Sequence, residues 1–242
     1  MHISRQENNR QIEEHPGKAY NAIMDNNLPF DTQAEEYDRW FDQPDGKIIF
    51  VSELKAIQEV LIALPPPWLE VGVGSGRFAQ ALGITTGLDP SGQLLEIARS
   101  RGILTLKGRI ENHPLPQESF GSVFLIMTLC FLEKPAIALK EINSALKSSG
   151  KLVVGDVPAD STWGRLYLEK KLHGHPFYKH ANFYTYQELK GMLKQAGFKI
   201  YTTISTLLQK PGQITEIESP LNGYHKEAGF IVVSASRIKT PD

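Results

Sequence analysis

The chain has 242 residues, of which 41% are hydrophobic and 22% charged, together with 20 glycines. That is the composition of a soluble globular protein, and the length suits one large domain or two small ones. Lysine and arginine total 26 against 27 acidic residues, a net charge of -1. This excludes a general electrostatic grip on nucleic acid or an acidic membrane and leaves only a local basic patch open. The single cysteine, Cys130, precludes an intrachain disulfide and suits a reducing compartment. No run approaches the roughly 20 apolar residues of a membrane-spanning helix, and the opening MHISRQENNRQIEEH lacks the apolar stretch of a signal peptide. The expectation is a cytoplasmic protein with no membrane or nucleic-acid partner and an oligomeric state that composition does not set.

Residues 1–30 are polar, break at Pro16-Gly17 and are expected to form a flexible N-terminal segment. Residues 31–242 are expected to form one domain with a helical N-terminal cap over 31–64 and an insertion at 158–184. In AEEYDRWF, Tyr37, Trp40 and Phe41 fall on one helical face, and Leu54, Ile57, Leu61 and Leu64 recur at helical spacing until Pro65-Pro66-Pro67 ends the run.

From Trp68 onward, short apolar runs alternate with helical segments. The runs are 68–73, 84–88, 103–106, 123–127 and 152–157; the helices lie near 76–82, 91–101 and 135–148, the last with Pro135 in its first turn and Gly150 past its end. Strands covered on both faces read as continuous apolar runs, so the alternation predicts an α/β fold with a parallel sheet between helices. The stretch 158–184 interrupts it. Thr185 and Glu188 have the spacing of a capping box, Leu189, Met192, Leu193 and Ala196 supply the apolar face behind it, and Gly197 suits the C-terminal cap. Two late strands, 198–208 and 229–237, follow without a helix between them, which predicts an antiparallel pair at one sheet edge.

The segment Leu69-Glu70-Val71-Gly72-Val73-Gly74-Ser75-Gly76-Arg77-Phe78 joins a predicted strand to a predicted helix. Glycines permit a tight turn and close approach of a ligand, and the free N–H groups of the following helix favour an anionic group. A plain strand-helix turn uses the same glycines. Asp89 adds a second element: it ends the next strand, where a carboxylate accepts bonds from two ribose hydroxyls, although it is also placed to cap the helix after Pro90-Ser91. Together they point to a nucleoside ligand at the carboxyl ends of the strands.

The segments LEVGVGSGRFA, GLDPSGQLLEIAR, LKGRIENHPLPQESFGSVFLIMTLCFLEKPAIALKEINSALKSSGKLVVGDV and FYTYQELKGMLKQAGF resemble, in order, the motifs of class I S-adenosylmethionine-dependent methyltransferases, in particular the ubiquinone/menaquinone-biosynthesis-like (type 11) group. The resemblance spans about residues 31–237. It implies a Rossmann-like, seven-stranded, mostly parallel sheet with helices on both faces and an antiparallel last strand, S-adenosyl-L-methionine as cofactor, and a small-molecule methyl acceptor. Carried over by position, Glu70 organises the methionine end of the cofactor, Gly72, Gly74 and Gly76 let the loop approach it, and Asp89 holds the ribose. Ile110 and Glu111 lie beside adenine, Met127 and Thr128 line the pocket after the fourth strand, and Tyr37 and Trp40 cover the cofactor or simply pack their helix. Two positions depart from the family pattern: Arg109, a donor-only side chain where an acceptor for the adenine amino group is common, and Gly121, where an acidic residue is common.

The acceptor side is expected in HGHPFYKHANFY, where His175, Tyr178 and His180 are the candidate catalytic groups, alongside His173 and Tyr184. The alternatives are a lid with a base and stacking aromatics, ordinary packing, or a metal site; the last is disfavoured because zinc wants three or four well-spaced ligands and no cysteine accompanies the histidines. No metal is therefore expected. Lys170, Lys171 and Lys179 suit an anionic substrate or a solvated face. Cys130 reads as a small core residue, and His113 as a loop residue. The rival functions are a nicotinamide-dependent oxidoreductase, disfavoured because Arg77 stands where GxGxxG differs from this loop, and a cofactor-binding protein without catalysis.

Overall fold

The computed structural model describes residues 28–238; positions 1–27 of the segment expected to be flexible lie outside the described residues. Three helices precede the sheet: α1 (Leu28–Thr32), α2 (Ala34–Trp40) and α3 (Pro44–Leu61). Pro44 sits in the first turn of α3, where its missing N–H has no helical partner to lose. The buried face of α3 runs through Ile49, Glu53, Ala56, Ile57 and Val60, a spacing of three, four and seven that places all five on one side. Leu54 and Leu61, expected on that face, are only partly buried and pack at its margin.

The sheet then builds as β1 (Trp68–Val71), α4 (Arg77–Leu82), β2 (Thr86–Asp89), α5 (Gly92–Ser100), β3 (Leu104–Lys107) and β4 (Phe120–Ile126). It continues with α6 (Pro135–Ala145), β5 (Leu146–Asp156), α7 (Thr162–Leu172), α8 (Tyr186–Gln195), β6 (Phe198–Thr206), β7 (Leu221–Asn222) and β8 (Phe230–Arg237). The strand order is β3-β2-β1-β4-β5-β8-β6-β7. Strands β1 to β5 pair in parallel, whereas β8 is antiparallel to both β5 and β6. The mostly parallel α/β fold is as expected, with one correction. The sheet has eight strands, not seven, because the loop after β6 returns as the short β7, antiparallel to β6. The late pair, β6 and β8, is antiparallel and lies at one end of the sheet as expected, with β8 seated between β5 and β6.

Another boundary moves. Helix α6 stops at Ala145, not near residue 148, and β5 starts at once: Phe120 pairs with Leu146 and Ser122 with Lys151, so residues 147–150 loop out opposite Gly121 alone. Gly150 belongs to that loop. Gly121 is glycine for a reason visible in the packing: a Cβ there would run into the Pro65 and Pro66 carbonyls, and its amide donates to the Pro67 carbonyl at 2.8 Å. The expected capping box is present, with Thr185 and Glu188 satisfying each other's backbone donors at the start of α8.

Alternation along β4 supplies both cores. Phe124 and Ile126 join the layer made by α3, α4, α5 and α7, while Val123 and Leu125 join the layer made by α6 and α8 through Leu139, Ile142, Leu189 and Leu193. Sequence order reverses between β1 and β4, which opens a crevice at their carboxyl ends, the place where open α/β sheets bind ligands. Among the described residues, no helix is long and apolar enough to cross a membrane.

Candidate functional site

The turn after β1 takes left-handed backbone at three places, with φ of 74° at Gly72, 52° at Gly74 and 80° at Gly76, a region that L side chains enter only under strain. The three glycines serve different neighbours. A Cβ on Gly72 would collide with the Thr128 side chain, and one on Gly76 would press on Ala98 and Ile103 at 3.2–3.3 Å. A Cβ on Gly74 would meet only Leu94 Cδ1, at 3.9 Å, because Gly74 faces open cavity. Gly76 is thus a packing glycine outside the cavity walls, and Gly74 is the position where a ligand can approach bare backbone.

Asp89 closes this turn from the end of β2. Its Oδ2 accepts the Gly74 amide at 2.9 Å and its Oδ1 the Ser91 amide at 2.8 Å. The N-cap of α5 is Ser91, whose hydroxyl accepts from Leu94, so Asp89 is not the helix cap. Burial raises the Asp89 carboxyl to about 6; the Ser91 and Gly74 amides oppose that rise. Each carboxylate oxygen keeps a further lone pair. They face a cavity of about 100 Å³ walled also by Ile110, Glu111, Met127 and Thr128. Met127 has φ 49° at the end of β4, a strained geometry of the sort found beside binding sites.

The two departures from the family pattern have structural explanations. Arg109 forms an ion pair with Glu133 at 3.4 Å. Glu111 uses one oxygen to accept the backbone amides of Glu133 and Lys134, at 3.0 and 3.4 Å, while its buried Oε2 has no hydrogen-bond partner among the described residues. That oxygen leaves an acceptor free in the wall of the smaller cavity, beside the Arg109 position.

A larger cavity of about 630 Å³ adjoins the first and shares with it Phe30, Tyr37, Gly72, Gly74, Ile126, Met127 and Phe131. Glu70 lies in its wall, 2% exposed, with Oε2 unpartnered among the described residues, and burial drives its pKa well upward, with the Asp89 charge adding to the rise. An orphaned buried acid, a bare glycine turn and a second carboxylate at the next strand end fit an adenosyl sulfonium that carries an amino acid tail: the tail's ammonium suits Glu70 and the ribose hydroxyls suit Asp89.

The outer wall of the larger cavity comes from α2, α7 and the segment behind α7. Tyr37 meets Phe30 and Phe177 at ring distances of 5.5 Å each, and Trp40 lines the rim while 41% exposed. Tyr178 stacks on His175 at 4.6 Å and lies 4.8 Å from Tyr167. His175 faces the cavity, and its Nδ1 is buried without a partner among the described residues; desolvation, then the Lys170 charge, lower its pKa. His180 is different. It is exposed and outside the cavity wall, because the 3₁₀ turn Tyr178–His180 directs only its first residue inward. Among the described residues, no three His, Cys, Asp or Glu side chains are grouped to hold a metal ion.

Three features of this site were missed in the sequence. Glu53 on α3 and Asp156 at the end of β5 are buried acids, and Asp38 on α2 forms a clamp. Asp38 receives the guanidinium of Arg77, Nε to Oδ1 at 2.9 Å, and that of Arg101, Nη2 to Oδ2 at 2.8 Å; Arg77 also reaches Asp42 at 2.7 Å. The clamp holds α2 over the glycine turn, and Arg101 further donates to the Ser75 carbonyl within the turn. Acidic and basic residues 39 and 63 positions apart carry no local signal. Glu53 did leave one, as a charge inside the apolar stripe of α3.

Residues 69–154 match the methyltransferase-domain (type 11) family. The chain is 39% identical over 203 residues to the uncharacterized protein Rv2003c of Mycobacterium tuberculosis, covering 84% of this chain and 71% of that one. It is 37% identical over 210 residues to the uncharacterized protein MJ1123 of Methanocaldococcus jannaschii, covering 86% and 98%. Among solved structures, a Thermotoga maritima SAM-dependent methyltransferase, described as a possible histamine N-methyltransferase, matches with TM-score 0.79 at 39% identity over 86% of this chain and 97% of that one. A putative methyltransferase of Bacillus halodurans shares the fold, with TM-score 0.57 at 18% identity over 77% and 99%. The nicotinamide alternative is thereby set aside: the chain belongs to the class I S-adenosylmethionine-dependent methyltransferases of type 11, and S-adenosylmethionine is its cofactor.

Proposed function

We propose that the protein transfers a methyl group to a small-molecule acceptor bound in the 630 Å³ cavity. The observation that carries this reading is the continuity of the two cavities past Gly74 and Met127. A cofactor held at Asp89 has its reactive end at the mouth of an aromatic chamber of a size usual for metabolites. When bound, S-adenosylmethionine supplies an electrophilic methyl carbon.

The chain's own residues do the rest. Asp89 orients the ribose, Glu70 the amino acid tail, and Ile110, Glu111, Met127 and Thr128 enclose adenine. Phe30, Tyr37 and Phe177 form an aromatic wall that excludes water from the reacting centre, and holding the acceptor at roughly 3–3.5 Å from the methyl carbon lowers the barrier by proximity. Residues 158–184 act as the lid, through His175 and Tyr178 rather than His180. The small amine named for the Thermotoga protein is of a size this chamber admits.

Calorimetry tests the cofactor half: S-adenosylhomocysteine should bind and NADH should not. A labelled-methyl screen against metabolite extracts tests the acceptor half. Transfer into a small-molecule fraction is the expected result, while cofactor binding without transfer to any acceptor would support a non-catalytic role instead.

A further inference from the structure

Glu53 lies midway along α3, 5% exposed, in the wall of the larger cavity. No hydrogen bond or ion pair reaches its carboxyl among the described residues. An acid kept in an apolar helix face without a partner is costly, and here it borders the chamber rather than the closed core. Its surroundings are aromatic: Tyr37, Trp163, Tyr167 and Tyr178 line the same cavity. The faces of this cluster already attract one cation, since the Lys170 ammonium sits 5.6 Å from the Tyr167 ring and 6.0 Å from that of Tyr178. A buried carboxylate behind aromatic rings is the chemistry that recognises an organic ammonium ion.

We propose that Glu53 is the acceptor-recognition group, and that the acceptor is a small amine with an apolar body, taken up as its ammonium ion against the Glu53 carboxylate. The proposal rests on the methyltransferase reading above and names the substrate class of that same site.

The chemistry balances. An ammonium nitrogen has no lone pair, so one proton passes from it to Glu53. The freed lone pair forms the new N–C bond to the sulfonium methyl as the C–S bond breaks, and that bond's electron pair stays on sulfur. The product nitrogen carries the positive charge, and Glu53 afterwards returns its proton to water. Glu53 suits this exchange because burial, then the Asp156 charge, raises it to about 8, close to the range in which a general base works near neutral pH.

The groups that face Glu53 define its pH response. Asp156 is itself raised to about 7 by burial, and the Glu53 charge in turn contributes to the upward shifts of Tyr37, Tyr167 and Tyr178. Lys170, His175 and Glu70 share the cavity wall, and Arg77 on α4 stands at its rim. The charged residues of β6 and β8, which pack against α3, are Lys199, exposed, and Arg237, ion-paired with Glu118. A protonated Glu53 cannot pair with an ammonium ion, so affinity for the ammonium form rises as pH rises through about 8.

The test uses the full chain saturated with S-adenosylhomocysteine and three probes of one shape: 2-phenylethylamine, 2-phenylethanol and phenylacetate. Calorimetry should show the amine binding at least about tenfold tighter than the alcohol or the acid, tightening between about pH 6.5 and 8.5, with Glu53→Gln abolishing both the preference and its pH dependence while leaving S-adenosylhomocysteine affinity unchanged. Equal binding of the three probes, preference for phenylacetate, or no amine binding to the loaded protein would overturn the proposal, as would a preference that survives Glu53→Gln. Should that variant fail to fold, the probe preference and pH dependence of the unaltered protein decide. Failure of S-adenosylhomocysteine itself to bind would instead overturn the methyltransferase reading, and this proposal with it.

Discussion

The Gly74 amide donates to Asp89 Oδ2 at 2.9 Å, so one carboxylate both shapes the glycine turn and faces the smaller cavity. Removing it costs the ligand twice. Asp89→Ala should weaken S-adenosylhomocysteine binding about tenfold to a hundredfold, the effect of losing one or two buried hydrogen bonds, measured by calorimetry. In the unaltered protein the carboxylate protonates as pH falls through about 6. A protonated carboxyl accepts fewer bonds, so cofactor affinity should fall over that same interval; an affinity flat from about pH 7.5 to 5 would contradict the role.

Gly74 and Gly76 separate binding from packing. Alanine at either position enters left-handed backbone and should destabilise the fold by about 1–2 kcal/mol. Gly76→Ala adds pressure on Ala98 and Ile103 and is expected to lower the melting temperature further while the folded protein binds S-adenosylhomocysteine normally. Gly74→Ala should do the reverse, with the smaller stability loss and the larger loss of affinity.

Asp38 is held well below the ordinary carboxylate range by hydrogen bonds from Arg77 and Arg101, which outweigh its desolvation. A depressed folded-state value stabilises the fold above the ordinary pKa and ceases to as pH falls through the folded one. Asp38→Ala should therefore cost about 1–3 kcal/mol at neutral pH and a smaller amount at pH 2, where the contribution is already declining towards its loss at still lower pH. Denaturant titrations at about pH 7 and pH 2 check this. The same variant should also loosen cofactor binding, because α2 loses its hold over the turn.

His180 and Tyr178, neighbours in one short turn, should part company in turnover. His180→Ala is expected to leave methyl transfer unchanged, because its ring is exposed outside the cavity. Tyr178→Phe should alter acceptor kinetics without changing S-adenosylhomocysteine affinity. Equal effects of the two substitutions would remove the lid assignment.

Most of the fold was legible because parallel strands covered on both faces leave continuous apolar runs, and because helix ends such as Thr185–Glu188 have local chemistry. The glycine turn and Asp89 were legible for the same reason, being short-range and adjacent to strand ends. What escaped depends on distant partners. Strand β7 has two residues and exists because Gly223 donates to the Thr203 carbonyl and the Ser205 hydroxyl bonds the Gly223 carbonyl. The Arg77–Asp38–Arg101 clamp joins three separate helical regions. In α3, Leu54 and Leu61 lie at the margin of the buried face that runs through Ile57 and is interrupted by Glu53. Gly121 was visible as a departure, but its cause, the Pro65 and Pro66 carbonyls, was not.

The place of β8 has a consequence for biosynthesis. Residues 230–237 are the shared partner of β5 and β6, yet they emerge from the ribosome after both. Until β8 is made, the edges of β5 and β6 that it joins therefore stay open, with unpaired amides and carbonyls that can mispair with a neighbouring nascent chain. The cofactor crevice at β1 and β4 lies beyond this gap, and neither strand has β8 as a hydrogen-bonded neighbour.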